Sequence, residues 1–163
     1  SDSKLPDQQA GYEKMMTLLL TAMAGASYIH HAVGMIENMN VVSYEQMALD
    51  NDIILMTRRI MRGIAVDEAH LAADVIARVG PAGHYLMDEH TLQHMRTEFV
   101  FPRLSDRNGR DVWQSQGSQT SRQRAAALVE RILRESPRTL LTADTDQALR
   151  SRFGVRDGLD EGK

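Results

Sequence analysis

The longest apolar run of the chain, MMTLLLTAMAGA at residues 15–26, places the strongest limit on what it can fold into. In a helix, these side chains would occupy almost every face, so neighbouring elements would have to cover the helix on all sides. Asp7 can cap the start of this helix, and Gly25 is placed to end it. The run is much shorter than the roughly 20 residues that cross a bilayer. It therefore predicts a buried helix and no membrane span.

The next segment, SYIHHAV at Ser27–Val33, predicts a short buried strand. It is rich in β-branched and aromatic residues, and it lies between Gly25 and Gly34. A strand buried on both faces needs neighbouring strands, as in a barrel or a layered α/β protein, and the sequence does not obviously supply them. The chain also starts without methionine. We therefore expect it to come from the middle of a longer protein.

The rest of the sequence carries the signals of helices. Ser43 followed by Gln46 predicts a capped helix of about five turns that ends at Gly63. The other predicted helices run from Asp67 to Gly80, from Asp88 to a point before Pro102, from the TSRQ box at 120–123 to Pro137, and over about 145–153. These signals predict a mainly α fold with one or two short strands, followed by a loose tail.

Composition narrows the possible functions. The chain has 163 residues, 42% of them hydrophobic, which is enough for one domain with a core. A net charge of −3 provides no basic field for nucleic acid, so we expect no nucleic-acid partner. The absence of cysteine excludes disulfides and thiolate chemistry and is compatible with a cytoplasmic location.

The histidine-rich stretch GHYLMDEHTLQHM at residues 83–95 has two interpretations. A helix that starts at Asp88 places His90, His94 and Glu98 along one face, and such a set can bind a transition metal. Asp88 and Glu89, however, are also what the start of a helix requires. His84 lies in the preceding loop. We favour helix capping and predict no metal site here.

Three stretches of the chain together resemble one enzyme family. They are SDSKLPDQQAGYEKMMTLLLTAMAGASYIHHAVGMIE, SYEQMALDNDI and VGPAGHYLMDEHTLQHMRTEFVFPRLSDRNGRDVW. In order and spacing, over about residues 1–135, they look like the C-terminal part of the trimethylamine methyltransferase family, which includes glycine betaine methyltransferases.

This resemblance implies a (β/α)8 barrel enzyme that moves a methyl group from a tertiary or quaternary amine to the Co(I) of a corrinoid. The corrinoid would be carried by a separate protein, so no cofactor would be bound directly. Residues 1–136 would be the C-terminal part of the barrel and residues 137–163 a weak helix and loose tail. We expect this fragment to be inactive alone, and a homo-oligomer could cover its exposed barrel face.

Candidate site residues follow from the barrel that the resemblance implies, because barrel enzymes work at the C-terminal ends of their strands. His30 and His31 are the catalytic candidates, and on a strand only one of them would face the site. Aromatic faces and carboxylates favour a cationic substrate. The substrate-binding candidates are Tyr28, Gly34, Glu37 and Tyr44. If the pyrrolysine position of the trimethylamine branch lies near Gly34, the chain belongs to the branch that acts on betaines.

A second class of function is compatible with the same sequence. The chain could be a free-standing helical module that binds another protein through its methionine-rich surface, without catalysis. Ten methionines are present, and at helical spacing they more often fill a core. Arg58, Arg59 and Arg62, near a predicted helix end, suit either the helix dipole or an acidic partner.

Overall fold

A computed structural model describes residues 1–135 and 141–154 of the chain. The described part is mainly helical and falls into two compact units that divide between Glu130 and Arg131. Its helices are α1 (Gln8–Met23), α2 (Tyr44–Arg62), α3 (Glu68–Leu71), α4 (Ala73–Val79), α5 (Glu89–Glu98), α6 (Arg110–Ser115), α7 (Ser121–Glu135) and α8 (Ala143–Phe153). The predicted stop at Pro137 lies outside the described residues, and so does the predicted loose tail at 154–163 except for its first residue, Gly154.

The predicted helix starts are confirmed by their capping hydrogen bonds. The Asp7 carboxylate accepts from the Ala10 N–H at 3.1 Å, and the Ser43 hydroxyl accepts from the Gln46 N–H at 3.2 Å. The Asp88 carboxylate accepts from the N–H of His90 at 3.0 Å. At the start of α7, the Thr120 N–H donates to Gln123 Oε1 at 2.8 Å, and the Gln123 N–H donates back to the Thr120 hydroxyl at 3.2 Å. These bonds satisfy N–H groups that the first turn of a helix leaves free.

The predicted helix from Asp67 to Gly80 is interrupted, which the sequence pattern did not indicate. Ala72 adopts a left-handed conformation with φ +48°, and it separates α3 from α4. The Asp67 cap is present, because its carboxylate accepts from the His70 N–H at 2.9 Å. The apolar side chains of this segment are divided by the break, and only Val75 is buried in α4. An amphipathic pattern with a good cap therefore did not ensure a continuous helix.

The strand predicted at Ser27–Val33 is wrong, and this segment is a loop. His31 has φ +55°, a left-handed conformation that is incompatible with an extended strand. The strands of the described residues follow it: β1 (Met35–Ile36) pairs antiparallel with β2 (Val41–Val42), with Met35 opposite Val42. Each strand has only two residues, and the pair is a small hairpin instead of a row of parallel barrel strands.

Helices α1 and α2 pack against each other. The buried apolar residues are Ala10, Ile36, Ile53, Val75, Leu104 and Ala125. The expectation that α1 is covered on all sides does not hold within the described residues. Met16, Leu20 and Met23 are 56%, 59% and 62% exposed and form an apolar ridge along the helix. No helix in the described part of the chain is long and apolar enough to cross a membrane.

Candidate functional site

The loop at residues 27–34, called the His30 loop below, is held in place by a buried ion pair. Lys14 Nζ on α1 lies 2.8 Å from Asp50 Oδ2 on α2, and both side chains are almost fully buried. Lys14 Nζ also donates to the carbonyl of Ala32 at 3.3 Å. The same Asp50 Oδ2 accepts from the Gly34 N–H at 2.7 Å. Both partners of the ion pair therefore bind the backbone of the loop.

Gln46 completes this buried group of polar side chains. Its Nε2 donates to Asp50 Oδ1 at 2.7 Å, so both carboxylate oxygens of Asp50 accept hydrogen bonds. Gln46 Oε1 is buried and has no hydrogen-bond partner among the described residues. A buried charge is tolerated only when it is paired and hydrogen-bonded, and Asp50 meets both conditions. We call Lys14, Asp50 and Gln46 the buried polar cluster.

Gly34 closes the His30 loop at a position where a side chain would not fit. Its φ is +76°, and a Cβ atom built there would lie 2.6 Å from Met47 Cγ. Its carbonyl accepts from the Ser43 N–H at 3.0 Å, next to the cap of α2. The contacts shown for Gly34 are to the polypeptide itself. They give it a role in shaping the loop, and a direct contact with substrate stays a prediction.

The sequence-predicted residues Tyr28, His30 and His31 lie close together in the His30 loop. The ring centroids of His30 and His31 are 3.6 Å apart, and those of Tyr28 and His30 are 5.9 Å apart. The expectation that the two histidines face opposite ways is wrong, because the left-handed turn at His31 replaces the alternation of a strand. All three side chains line an open cavity of about 330 Å³ beside α1.

The other two candidates lie outside the residues that line this cavity. Glu37 is in the turn between β1 and β2 with φ +52°, and its N–H donates to the carbonyl of Ser3 at 2.8 Å. Tyr44 is the first residue of α2 and is 58% exposed. Nothing in the geometry assigns either side chain a ligand. Their proposed contacts with substrate therefore stay predictions.

Comparison with known proteins decides the family. The family model described as trimethylamine methyltransferase matches residues 1–157. The chain is 38% identical over 156 residues to a glycine betaine methyltransferase from Desulfitobacterium hafniense strain Y51, covering 96% of the chain and 32% of that protein. It is 43% identical over 124 residues to a trimethylamine methyltransferase from another strain of that species, covering 76% of the chain and 25% of that protein. A trimethylamine methyltransferase from Methanosarcina barkeri is 40% identical over 144 residues, covering 88% of the chain and 29% of that protein.

The chain belongs to the trimethylamine methyltransferase family. Its relatives are named for methyl transfer from trimethylamine or glycine betaine. The chain spans about a quarter to a third of the length of these relatives. The family resemblance expected from the sequence is therefore confirmed, over a segment that represents only part of a trimethylamine methyltransferase.

Sequence reasoning missed the buried polar cluster that positions the loop of this family member. Lys14 directly precedes the apolar run at residues 15–26 and stands beside Glu13, so it has the local pattern of an ordinary surface charge. The pairing itself joins residues 36 positions apart, so no local pattern could reveal it. Asp52 was also missed: its buried carboxylate accepts from the N–H groups of Arg103 and Leu104 at 3.2 and 2.8 Å.

A second group of polar side chains was anticipated in part. His94 and Glu98 of α5 lie near each other, but the third member is His70 of α3 and not His90. His90 Nε2 is instead 2.6 Å from the carbonyl oxygen of Ala69. We call His70, His94 and Glu98 the histidine cluster. Its ring nitrogens and carboxylate oxygen lie within 4.8 Å of one another, and all three residues are half-buried.

Proposed function

We propose that the intact protein transfers a methyl group from a betaine-type quaternary amine to the Co(I) of a corrinoid carried by a partner protein. Membership of the family supports the reaction class. We place the amine-binding site at the His30 loop because Tyr28, His30 and His31 line the same cavity. The arrangement of these three side chains suits a small methylated amine.

The composition of the cavity favours an amine that also carries a carboxylate. Among the described residues that line it, none is Asp or Glu. The imidazoles of His30 and His31 can donate N–H groups to a carboxylate, and the ring of Tyr28 offers a face to a methylammonium group. A betaine has both groups, whereas trimethylamine lacks the carboxylate. The site therefore fits the substrate that the Desulfitobacterium hafniense Y51 relative is named for.

The cavity is also compatible with a corrinoid that stays on its own protein. A volume of about 330 Å³ accommodates a small amine but not a corrinoid ring. Tyr28 is 76% exposed, and His30 and His31 are exposed as well, so the cavity is open to an approaching partner. When bound, Co(I) would supply the electron pair for the new bond to the methyl carbon, and the amine nitrogen would keep the pair of the broken C–N bond.

The work of the chain's own residues is then to bind and orient the amine. A quaternary amine leaves as a neutral tertiary amine, so no proton has to be delivered to the leaving group. Holding the methyl group in line with its acceptor accounts for much of the rate in such reactions. We infer that the His30 loop does this, and that the buried polar cluster keeps the loop in the required conformation.

The proposed reaction also needs the remaining length of the enzyme. We propose that the segment is the C-terminal part of a (β/α)8 barrel, and that the barrel covers the apolar ridge of Met16, Leu20 and Met23. The exposure of this ridge supports the proposal, because exposed apolar patches usually mark contacts. We also propose a cytoplasmic location, which the absence of cysteine permits.

The test uses the intact protein, the reduced corrinoid protein and a panel of amines that includes glycine betaine and trimethylamine. We expect demethylation of glycine betaine, followed by mass spectrometry of the amine product and by the cobalt absorption spectrum. His30→Ala and His31→Ala should each lower the rate by about 100-fold, as loss of one positioned polar group does. His84→Ala is the matched control, since His84 is an exposed loop histidine outside the cavity.

Two results would contradict the proposal. Absence of methyl transfer from every tertiary and quaternary amine would exclude the reaction class. A preference for trimethylamine over betaine would exclude the role given to the carboxylate and to the two imidazoles.

A further inference from the structure

The histidine cluster lies away from the His30 loop and has no part in the proposed methyl transfer. It joins α3, which carries His70, to α5, which carries His94 and Glu98. Two imidazoles and one carboxylate form a ligand set used by Zn²⁺ and by other first-row transition ions. The half-buried position leaves the cluster accessible to an ion while removing part of its hydration.

Neighbouring side chains orient two of these ligands. Asp67 Oδ1 lies 2.6 Å from His70 Nδ1, which places the proton on Nδ1 and leaves the lone pair of Nε2 towards the cluster. His70 Nε2 is 4.0 Å from Glu98 Oε1. The hydrogen bond from the His70 ring to the Asp67 carboxylate lowers the pKa of Asp67 below its usual value. A carboxylate on the far nitrogen of a histidine is the arrangement that metal-binding histidines commonly have.

Glu98 is oriented from its other side. Its Oε2 accepts a hydrogen bond from Arg59 at 2.8 Å and forms an ion pair with Arg62 Nη2 at 2.9 Å, and both arginines are on α2. Oε1 is not engaged by either arginine, so it is available to an ion. The two guanidinium groups offset the charge of Glu98 and Asp67, and they will weaken the attraction for a cation. Binding should therefore be selective for ions that prefer imidazole and should exclude Mg²⁺ and Ca²⁺.

His94 is the third ligand, and His90 is excluded. Among the described residues, neither ring nitrogen of His94 makes a hydrogen bond, although its ring packs 4.2 Å from that of His90 and 4.9 Å from that of His70. His90 Nε2 is occupied by the carbonyl of Ala69. His94 therefore has free nitrogens beside the two oriented ligands.

We propose that His70 Nε2, a ring nitrogen of His94 and Glu98 Oε1 bind a divalent first-row transition ion, with Zn²⁺ the best candidate. Ligand bonds of about 2.0–2.2 Å place tetrahedral ligands about 3.4 Å apart. The present separation of up to 4.8 Å requires closure by as much as about 1.4 Å to reach this ligand spacing. Side-chain rotation of His94 and Glu98 on one face of α5 can provide it. Water would complete the coordination.

The experiment is a titration of the metal-free intact protein with Co²⁺, read by its visible ligand-field absorption, and with Zn²⁺, read by calorimetry. We expect one Co²⁺ with tetrahedral or five-coordinate bands that Zn²⁺ displaces and Mg²⁺ does not. His70→Ala, His94→Ala and Glu98→Gln should each weaken binding at least 10-fold. Asp67→Asn should weaken it about 10-fold through loss of ligand orientation.

Matched histidine controls separate this site from others. His84→Ala should leave the Co²⁺ spectrum and affinity unchanged, and so should His30→Ala and His31→Ala. Circular dichroism of each variant checks that the overall helix content is unchanged, and Glu98→Gln keeps the shape of the side chain. Absence of Co²⁺ bands in the wild-type protein would overturn the proposal. So would bands that survive His70→Ala and His94→Ala, or that depend on His90 or on the His30 loop.

Discussion

The buried polar cluster and the histidine cluster both contain charged side chains, but they differ in how much of their binding capacity is already used. Around Asp50, both carboxylate oxygens accept hydrogen bonds, and its partner Lys14 is buried with it. Around Glu98, one carboxylate oxygen is engaged by arginines and the other faces two half-buried histidines. The buried polar cluster can hold a loop, but its hydrogen-bonding atoms are already used and few remain to bind a ligand. The histidine cluster keeps ligand atoms available for an ion.

The strongest way to test this difference is to break the buried ion pair. Asp50→Ala leaves Lys14 charged and buried, and it removes the acceptor of the Gly34 N–H. We expect the free energy of unfolding to fall by about 3–5 kcal/mol, measured by urea denaturation of the intact protein. The double variant Lys14→Met with Asp50→Asn removes both charges and keeps an acceptor for Gly34. It should lose much less stability. Equal losses in the two variants would show that charge pairing is not what stabilises the loop.

We expect a smaller loss of stability from a substitution at Gly34, which shapes the His30 loop and carries no charge. Gly34→Ala would place a Cβ 2.6 Å from Met47 Cγ and would force alanine to φ +76°. We expect a loss of about 1–3 kcal/mol in unfolding free energy. Gly11→Ala is the matched control: Gly11 lies within α1, nothing lies within 4 Å of the position that its Cβ would take, and alanine there should stabilise by about 0.5–1 kcal/mol. An unchanged unfolding free energy in Gly34→Ala would contradict the close packing of Gly34 against Met47.

The smallest expected effect is a shift in the pKa of Asp67, which lies beside the histidine cluster. Its pKa is lowered from the usual 3.8, mainly by the hydrogen bond from the His70 ring. A lowered folded-state pKa stabilises the fold above the unfolded-state pKa, and this contribution is lost as pH falls through the folded-state value. NMR titration should therefore give an Asp67 midpoint below 3.8. His70→Ala should raise it towards 3.8, whereas His84→Ala should not. A midpoint at or above 3.8 in the wild-type protein would mean that His70 and Asp67 do not interact.

The parts of the fold that were predicted from the sequence depend on short-range contacts. Asp7, Ser43 and Asp88 cap helices through N–H groups two or three residues ahead, so the local pattern is sufficient. The segment Ser27–Val33 was assigned to a strand because its composition favours one. Its conformation is instead set by Lys14 and Asp50, which are distant in sequence. In this segment, tertiary hydrogen bonds determine the backbone conformation and override the strand propensity of the residues.

For the same reason, the sequence identified site residues that are close together in the chain and missed those that tertiary packing brings together. Tyr28, His30 and His31 were found as a group because they are neighbours in the chain, although their relative orientation was wrong. Helical spacing correctly placed His94 near Glu98. The same spacing also predicted that His90 belongs to this group. Periodicity shows which face of a helix a residue lies on, but it does not show which atoms its side chain binds. The contribution of His70 depends on how α3 packs against α5, which no spacing within one helix can indicate.

The left-handed alanine between α3 and α4 makes the histidine cluster sensitive to a residue that is not one of its members. A straight helix through this segment would give the His70 turn a different direction relative to α5, and Ala72 is what ends that turn. Glycine would accept this backbone more readily than alanine, and valine or isoleucine would resist it. Whether a relative carries a small or a β-branched residue at this point is therefore a simple guide to whether it can bring the same three side chains together.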